Sequence, residues 1–153
     1  MAKIMVTFES KYGNTKLVAE NIIEGIGEVE GIEAVLSELK KVDLDEIADY
    51  DVILIGSPNH FGGPTRSIRK FIDKLGKLQL NGKSYAVFDT YIKADCEKAA
   101  KKMEKRISEK ASSLKRIVPG LSIKVQGMKG PILDGELIKC RDFGKEIAEQ
   151  IRG

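Results

Sequence analysis

Lys3-Ile4-Met5-Val6-Thr7-Phe8-Glu9-Ser10-Lys11-Tyr12-Gly13-Asn14-Thr15-Lys16 is the stretch that decides the fold. An apolar strand, Lys3–Phe8, runs into a short loop of hydroxyls, one glycine and one asparagine. The loop opens directly into a helical pattern over Thr15–Ile26, with Leu17, Val18, Ile22 and Ile26 at helical spacing. The first N–H groups of a helix have no internal partner and sit at the positive end of its dipole, so they attract an anion. Ser10 and Thr15 add hydroxyl donors, Asn14 adds an amide, and Gly13 lets the backbone approach closely. The loop is neither G-x-x-x-x-G-K-[ST] nor G-x-G-x-x-G, which speaks against nucleoside triphosphate hydrolysis and ordinary dinucleotide binding. The alternative is an ordinary turn whose helix is capped by Asn14 or Thr15.

Outward from this stretch, strand and helix alternate to the end of the chain. Ile32–Leu39 reads as a second strand, followed by one or two helical turns around Leu44, Ile47 and Ala48. Asp51–Gly56 is a continuous apolar run of the kind a central parallel strand shows. Pro64 suits a helix start, Ile68, Phe71, Ile72 and Leu75 form the stripe of that helix, and Gly76 lies near its end. Asn81-Gly82 marks a turn before a fourth strand, Ser84–Asp89. A long charged helix over about Asp95–Ser112, a fifth strand at Leu121–Val125, a glycine-rich loop at Gly127–Gly135 and an amphipathic helix at Leu137–Ile151 follow. The expectation is an α/β fold with a doubly wound five-stranded parallel sheet and helices on both faces. Such sheets bind ligands at the carboxyl ends of their strands, where the strand order reverses.

Composition sets the outer limits. A chain of 153 residues, 42% hydrophobic and 32% charged, fits a single domain over residues 1–153 with a core of its own. No apolar run approaches the roughly 18 residues that span a bilayer, so no membrane association is expected. Cys96 and Cys140 form no C-x-x-C or metal pattern and read as reduced thiols in a cytoplasmic protein. The net charge of +3 is too balanced for a nucleic-acid binder. Its distribution is uneven: Lys93–Arg116 carries nine basic and four acidic residues. A solvated helix face explains this, and a docking surface for an acidic partner is the alternative.

Two further loops fall at the same edge of the expected sheet. Gly56-Ser57-Pro58-Asn59-His60-Phe61-Gly62-Gly63-Pro64 follows the third strand and holds the only histidine of the chain. A stiff loop with one aromatic beside glycines suits a flat ring: Phe61 stacks while the backbone of Gly62 and Gly63 reaches the polar edge. The alternative is a rigid turn with Phe61 folded into the core. His60 has no second histidine or nearby cysteine to make a metal site. After the fourth strand comes Asp89-Thr90-Tyr91-Ile92-Lys93-Ala94-Asp95. Tyr91 offers a second ring, and Asp89 and Thr90 offer hydrogen-bonding groups, unless Tyr91 is simply a surface tyrosine.

In these residues the chain resembles the flavodoxins. Ser10-Lys11-Tyr12-Gly13-Asn14-Thr15 after a strand looks like their FMN phosphate loop. Gly56–Gly63 is similar to their isoalloxazine loop, and also to the matching loop of NAD(P)H:quinone oxidoreductases and iron–sulfur flavoproteins. The resemblance implies the flavodoxin strand order 2-1-3-4-5 and non-covalent FMN. The implied phosphate residues are Ser10, Lys11, Tyr12, Gly13, Asn14 and Thr15. Ser57, Pro58, Asn59, His60, Phe61, Gly62 and Gly63 would meet the ribityl chain and ring. Asp89, Thr90, Tyr91 and Asp95 would close the other side. The implied activity is that of a monomeric, low-potential electron carrier between redox proteins. Flavodoxins are typically acidic and this chain departs from that at +3, so its basic Lys93–Arg116 segment points instead to a ferredoxin-like or oxidoreductase partner that bears an acidic surface. The competing reading is an NAD(P)H-dependent FMN quinone or flavin reductase, whose members usually carry inserted segments not visible here. A response-regulator-like domain is disfavoured, because the third strand ends Ile55-Gly56-Ser57 without a phosphoacceptor aspartate.

Overall fold

The computed structural model describes residues 1–153. Its elements are β1 (Ala2–Phe8), α1 (Asn14–Gly27), β2 (Ile32–Glu38), β3 (Val52–Pro58), α2 (Arg66–Leu75), β4 (Ser84–Tyr91), α3 (Lys98–Lys110), β5 (Lys115–Arg116), β6 (Leu121–Lys124) and α4 (Glu136–Arg152). Every strand pair is parallel, and the order is β2-β1-β3-β4-β5, as the sequence leads one to expect. The fifth position is split. β5 pairs with Ser84 and Tyr85 at the start of β4, and β6 pairs with Phe88–Tyr91 at its end. Pro119-Gly120 lies between the two segments. Proline has no N–H to give a ladder, so the strand breaks there and resumes.

The pleat sorts the core into two layers. Ile4, Val6 and Phe8 of β1 and Val52 and Leu54 of β3 face α1 and α4 and pack on Val18, Ile22, Ile26, Phe143 and Ile147. Met5, Ile53, Ile55 and Val87 face α2 and α3 and pack on Ile68, Ile72, Leu75, Met103 and Ile107. β3 is buried from Val52 to Ser57, which is why its sequence shows no alternation. At Gly56 a methyl group would overlap the Phe88 ring, so the ring fits under β3 only because this position is glycine. Gly25 and Gly144 let α1 and α4 meet at backbone distance, since a methyl on either would strike the carbonyl of Arg141 or of Ile22.

The helical turns expected around Leu44, Ile47 and Ala48 are present as a 3-10 segment, Leu44–Asp49, capped by the Asp43 carboxylate on the Asp45 N–H and preceded by a shorter one at Leu39–Lys41. Two local expectations change. α3 starts at Lys98 rather than near Asp95, because residues 95–98 form a turn closed by Lys98 N–H on the Asp95 carbonyl, with Glu97 at φ 64°. α1 starts one residue earlier than its apolar spacing suggests, and neither Asn14 nor Thr15 caps it. Gly13, at φ 91°, takes the cap position with no side-chain hydrogen bond.

Candidate functional site

β1 and β3 are neighbours whose following connections leave toward opposite faces, so a crevice forms at their carboxyl ends. The first loop enters it from β1. Ser10 Oγ accepts from the Gly13 N–H at 3.0 Å, which draws residues 10–13 into a tight bend and leaves the hydroxyl hydrogen free to donate. The first intrahelical bond is Leu17 N–H to the Gly13 carbonyl, so the N–H groups of Asn14, Thr15 and Lys16 remain without helical partners. A Cβ on Gly13 would meet nothing within 4 Å, so the space above the bend is open. Lys11 and Tyr12 are exposed, Asn14 is half-buried, and the Lys11 ammonium lies 5.4 Å from the centre of the Tyr12 ring. Thr15 is buried, and its hydroxyl pairs with that of Thr90 at 3.1 Å. Thr15 therefore offers its backbone N–H to the crevice, while its side chain ties α1 to the end of β4.

The second loop is built from inside. Ser57 is fully buried, donates to the Pro58 carbonyl and accepts from the Thr65 N–H, which closes residues 57–65 into one unit. Thr65 caps α2 through Ile68. At the tip, His60 and Gly63 bond each other in both directions, at 2.7 and 3.1 Å. Phe61 at φ 52° and Gly62 at φ 73° lie between them, both in the left-handed region, as in a type I′ turn. Glycine adopts this conformation freely, whereas a phenylalanine does so at a cost. Phe61 is fully exposed instead of folded into the core. An aromatic side chain is thus held in water on a strained backbone. Pro58 is half-buried and His60 is exposed.

The third loop is joined to the second by polar contacts. Asn59 donates to the Thr90 carbonyl at 3.0 Å and accepts from the Ala99 N–H at the start of α3. Asp89 is completely buried, and its oxygens accept from the Ala100 N–H at 2.8 Å and from the Ser122 hydroxyl. Burial pushes its carboxyl above the usual aspartate range, against the pull of these donors. Asp89 thus anchors α3 and β6 under the loop. Tyr91 is half-buried beside the Cys96 thiol, and that thiol, burial and the nearby Glu136 and Asp89 carboxylates push its phenol up to about 12. Asp95 is held by Lys98 at 3.0 Å.

One participant is absent from the sequence expectation. The Gly127–Gly135 loop follows β6 at the same edge and packs on the first loop. Gly130 sits so close to the Asn14 side-chain oxygen that a Cβ would fall 2.7 Å from it. The Lys129 ammonium lies 5.9 Å from the Tyr12 ring centre, on the same ring that Lys11 approaches. The signal was there: a glycine-rich loop following a strand of this sheet opens at its ligand-binding edge.

Fold and site together define a doubly wound α/β protein with a helix start whose first N–H groups are unpaired and an exposed aromatic turn at one switch point. The family model for flavodoxins matches residues 6–131, and the chain belongs to the flavodoxin family. A flavodoxin from the domain Archaea superposes with a TM-score of 0.84 at 27% identity, over 99% of both chains. Oxidised flavodoxin 2 from Bacillus cereus gives 0.82 at 28% identity, over 97% of this chain and 99% of that one. Rubredoxin oxygen:oxidoreductase from Desulfovibrio gigas shares the fold, with a TM-score of 0.80 at 18% identity, and this chain matches 36% of its length. No helix is long and apolar enough to cross a membrane.

Proposed function

We propose that this chain binds FMN without a covalent bond and acts as a single-domain, monomeric, low-potential electron carrier between redox proteins of the cytoplasm. The observation that carries the reading is the convergence of two unlike elements at one crevice. The free N–H groups of Asn14, Thr15 and Lys16, with the Ser10 hydroxyl, suit a phosphate. The Phe61–Gly62 turn, a crevice away, suits a flat ring. These donors are neutral and directional, and the open space over Gly13 leaves room for the phosphate oxygens. FMN, when bound, supplies the one- and two-electron chemistry. The chain supplies the anchor at residues 10–16, the aromatic wall at Phe61 and the rigid base built by Asn59, Asp89 and Ser122.

An NAD(P)H-dependent reductase needs a place for a hydride donor beside the ring. The connections that follow β1, β3 and β4 at this edge run only five to seven residues, which favours the carrier. Titrating the flavin-free protein with FMN and with riboflavin tests the anchor, and FMN should bind at least 100-fold more tightly. Anaerobic mixing of the loaded protein with NADH and NADPH tests the carrier: no bleaching is expected, and rapid bleaching would assign it to the reductases.

A further inference from the structure

The two faces of the sheet are charged differently. α2 and α3 together carry ten basic and three acidic residues, whereas α1 and α4 carry five basic and six acidic. The excess lines a groove of about 650 Å³ between α2 and α3. Arg66 and Arg69 stand on one wall, with Lys102, Lys105, Arg106 and Lys110 on the other. Asp73 grips Arg106 through two bonds of 2.8 and 2.7 Å, so the walls are fastened to each other. None of Arg66, Arg69, Lys102, Lys105 or Lys110 makes an ion pair. Five cationic heads therefore make no ion pair along a groove whose one lining carboxylate is Glu109, a repulsive arrangement that an anionic partner relieves.

The groove leads to the redox edge. His60, Phe61 and Gly63 form its upper end. The Lys102 side chain runs past Gly63, and the Lys98 side chain past Gly62, each within about 3.5 Å of where a Cβ would sit. A partner seated on these cations reaches the one fully exposed aromatic of the site. We infer that the α2–α3 groove and the Phe61 turn form the docking surface for a redox protein with clustered aspartates and glutamates around its own electron-transfer centre. The surface suits a brief encounter: it is charged and hydrated, with one aromatic at its tip, and the near-neutral α1–α4 face opposite gives the molecule an electrical direction that orients approach. A protein is favoured over a nucleic acid because the cations lead to the ring site and the net charge of the chain is only +3.

The assignment rests on the electron-carrier reading, and the test separates the two. The visible spectrum of the purified protein reports whether flavin is present. Docking is then measured independently of flavin, by mapping amide chemical shifts of the protein as purified on addition of an oxidised plant-type [2Fe–2S] ferredoxin, an acidic probe. Shifts should cluster on α2, α3 and residues 60–63, and fade between about 20 and 300 mM salt. The double variant Arg69→Glu/Lys105→Glu should abolish them, and Lys145→Glu on α4 should not. With flavin present, the rate of electron transfer from the reduced ferredoxin should fall at least tenfold in the double variant, with FMN affinity unchanged. Shifts centred on α1 and α4, an absence of shifts at low salt, or salt-independent transfer would overturn the assignment. So would tighter binding of a DNA duplex than of the ferredoxin at equal salt.

Discussion

Replacing Phe61 with glycine should stabilise the flavin-free protein and weaken flavin binding, two effects of opposite sign from one substitution. The side chain is fully exposed, so its removal takes nothing from either core layer. Its backbone sits at φ 52°, where a residue with a Cβ is strained by about 1–2 kcal/mol. Glycine removes that strain but adds about 0.5–1 kcal/mol of unfolded-state entropy. The balance is a gain of up to about 1.5 kcal/mol. For 153 residues this raises the melting temperature by up to about 5 °C. Loss of ring stacking works the other way: about 1–3 kcal/mol, or roughly 5- to 150-fold in the dissociation constant for FMN. Urea unfolding of the flavin-free protein and quenching of flavin fluorescence read the two quantities separately. A Phe61→Gly variant that unfolds more than 1 kcal/mol more easily, or that binds FMN as before, would refute the view of Phe61 as a strained, waiting wall.

Thr7 lies in β1 with its hydroxyl fully buried and without a hydrogen-bond partner. Thr7→Val removes an unsatisfied polar group and should stabilise by about 1 kcal/mol, seen as a higher urea midpoint at unchanged slope. Lys129→Ala should weaken FMN several-fold and leave riboflavin affinity unchanged, because an ammonium beside Tyr12 acts on the phosphate end alone. Asp89 gives a pH signature. Its carboxyl titrates above the ordinary 3.8 in the folded protein, because burial disfavours the charge. The folded state then holds the proton more tightly than the unfolded state, so this residue's share of stability falls as pH rises from 3.8 through the raised value. Asp89→Asn should remove that fall, and urea midpoints between about pH 4 and 8 should converge with wild type only at the acid end. Parallel profiles would show that Asp89 does not titrate in this window.

The loops that face the crevice were legible because their composition is unusual: hydroxyls and an asparagine before a helix, prolines and glycines around one aromatic. The doubly wound parallel sheet followed from alternation and the apolar run of β3, and its strand order from the resemblance to flavodoxins. What stayed hidden depends on distance in the chain. Nothing local announces that Thr15 bonds Thr90, that Asn59 holds the first turn of α3, or that Asp89 is spent on Ala100 and Ser122. Each is a contact across strands and appears only once the sheet is assembled. β5 escaped notice because Lys115–Arg116 is two charged residues with no hydrophobic pattern. The exposure of Phe61 follows from a backbone sign, φ 52°, that a phenylalanine gives no reason to expect.

The central claim is that these loops hold FMN for electron transfer. The absorption spectrum of the purified protein during anaerobic stepwise reduction tests it most directly. The account predicts a flavin band near 450 nm (roughly, as flavins absorb), released as FMN on denaturation, that disappears in two resolved one-electron steps. A colourless protein that takes up no added FMN, or one that binds riboflavin as tightly as FMN, would contradict it.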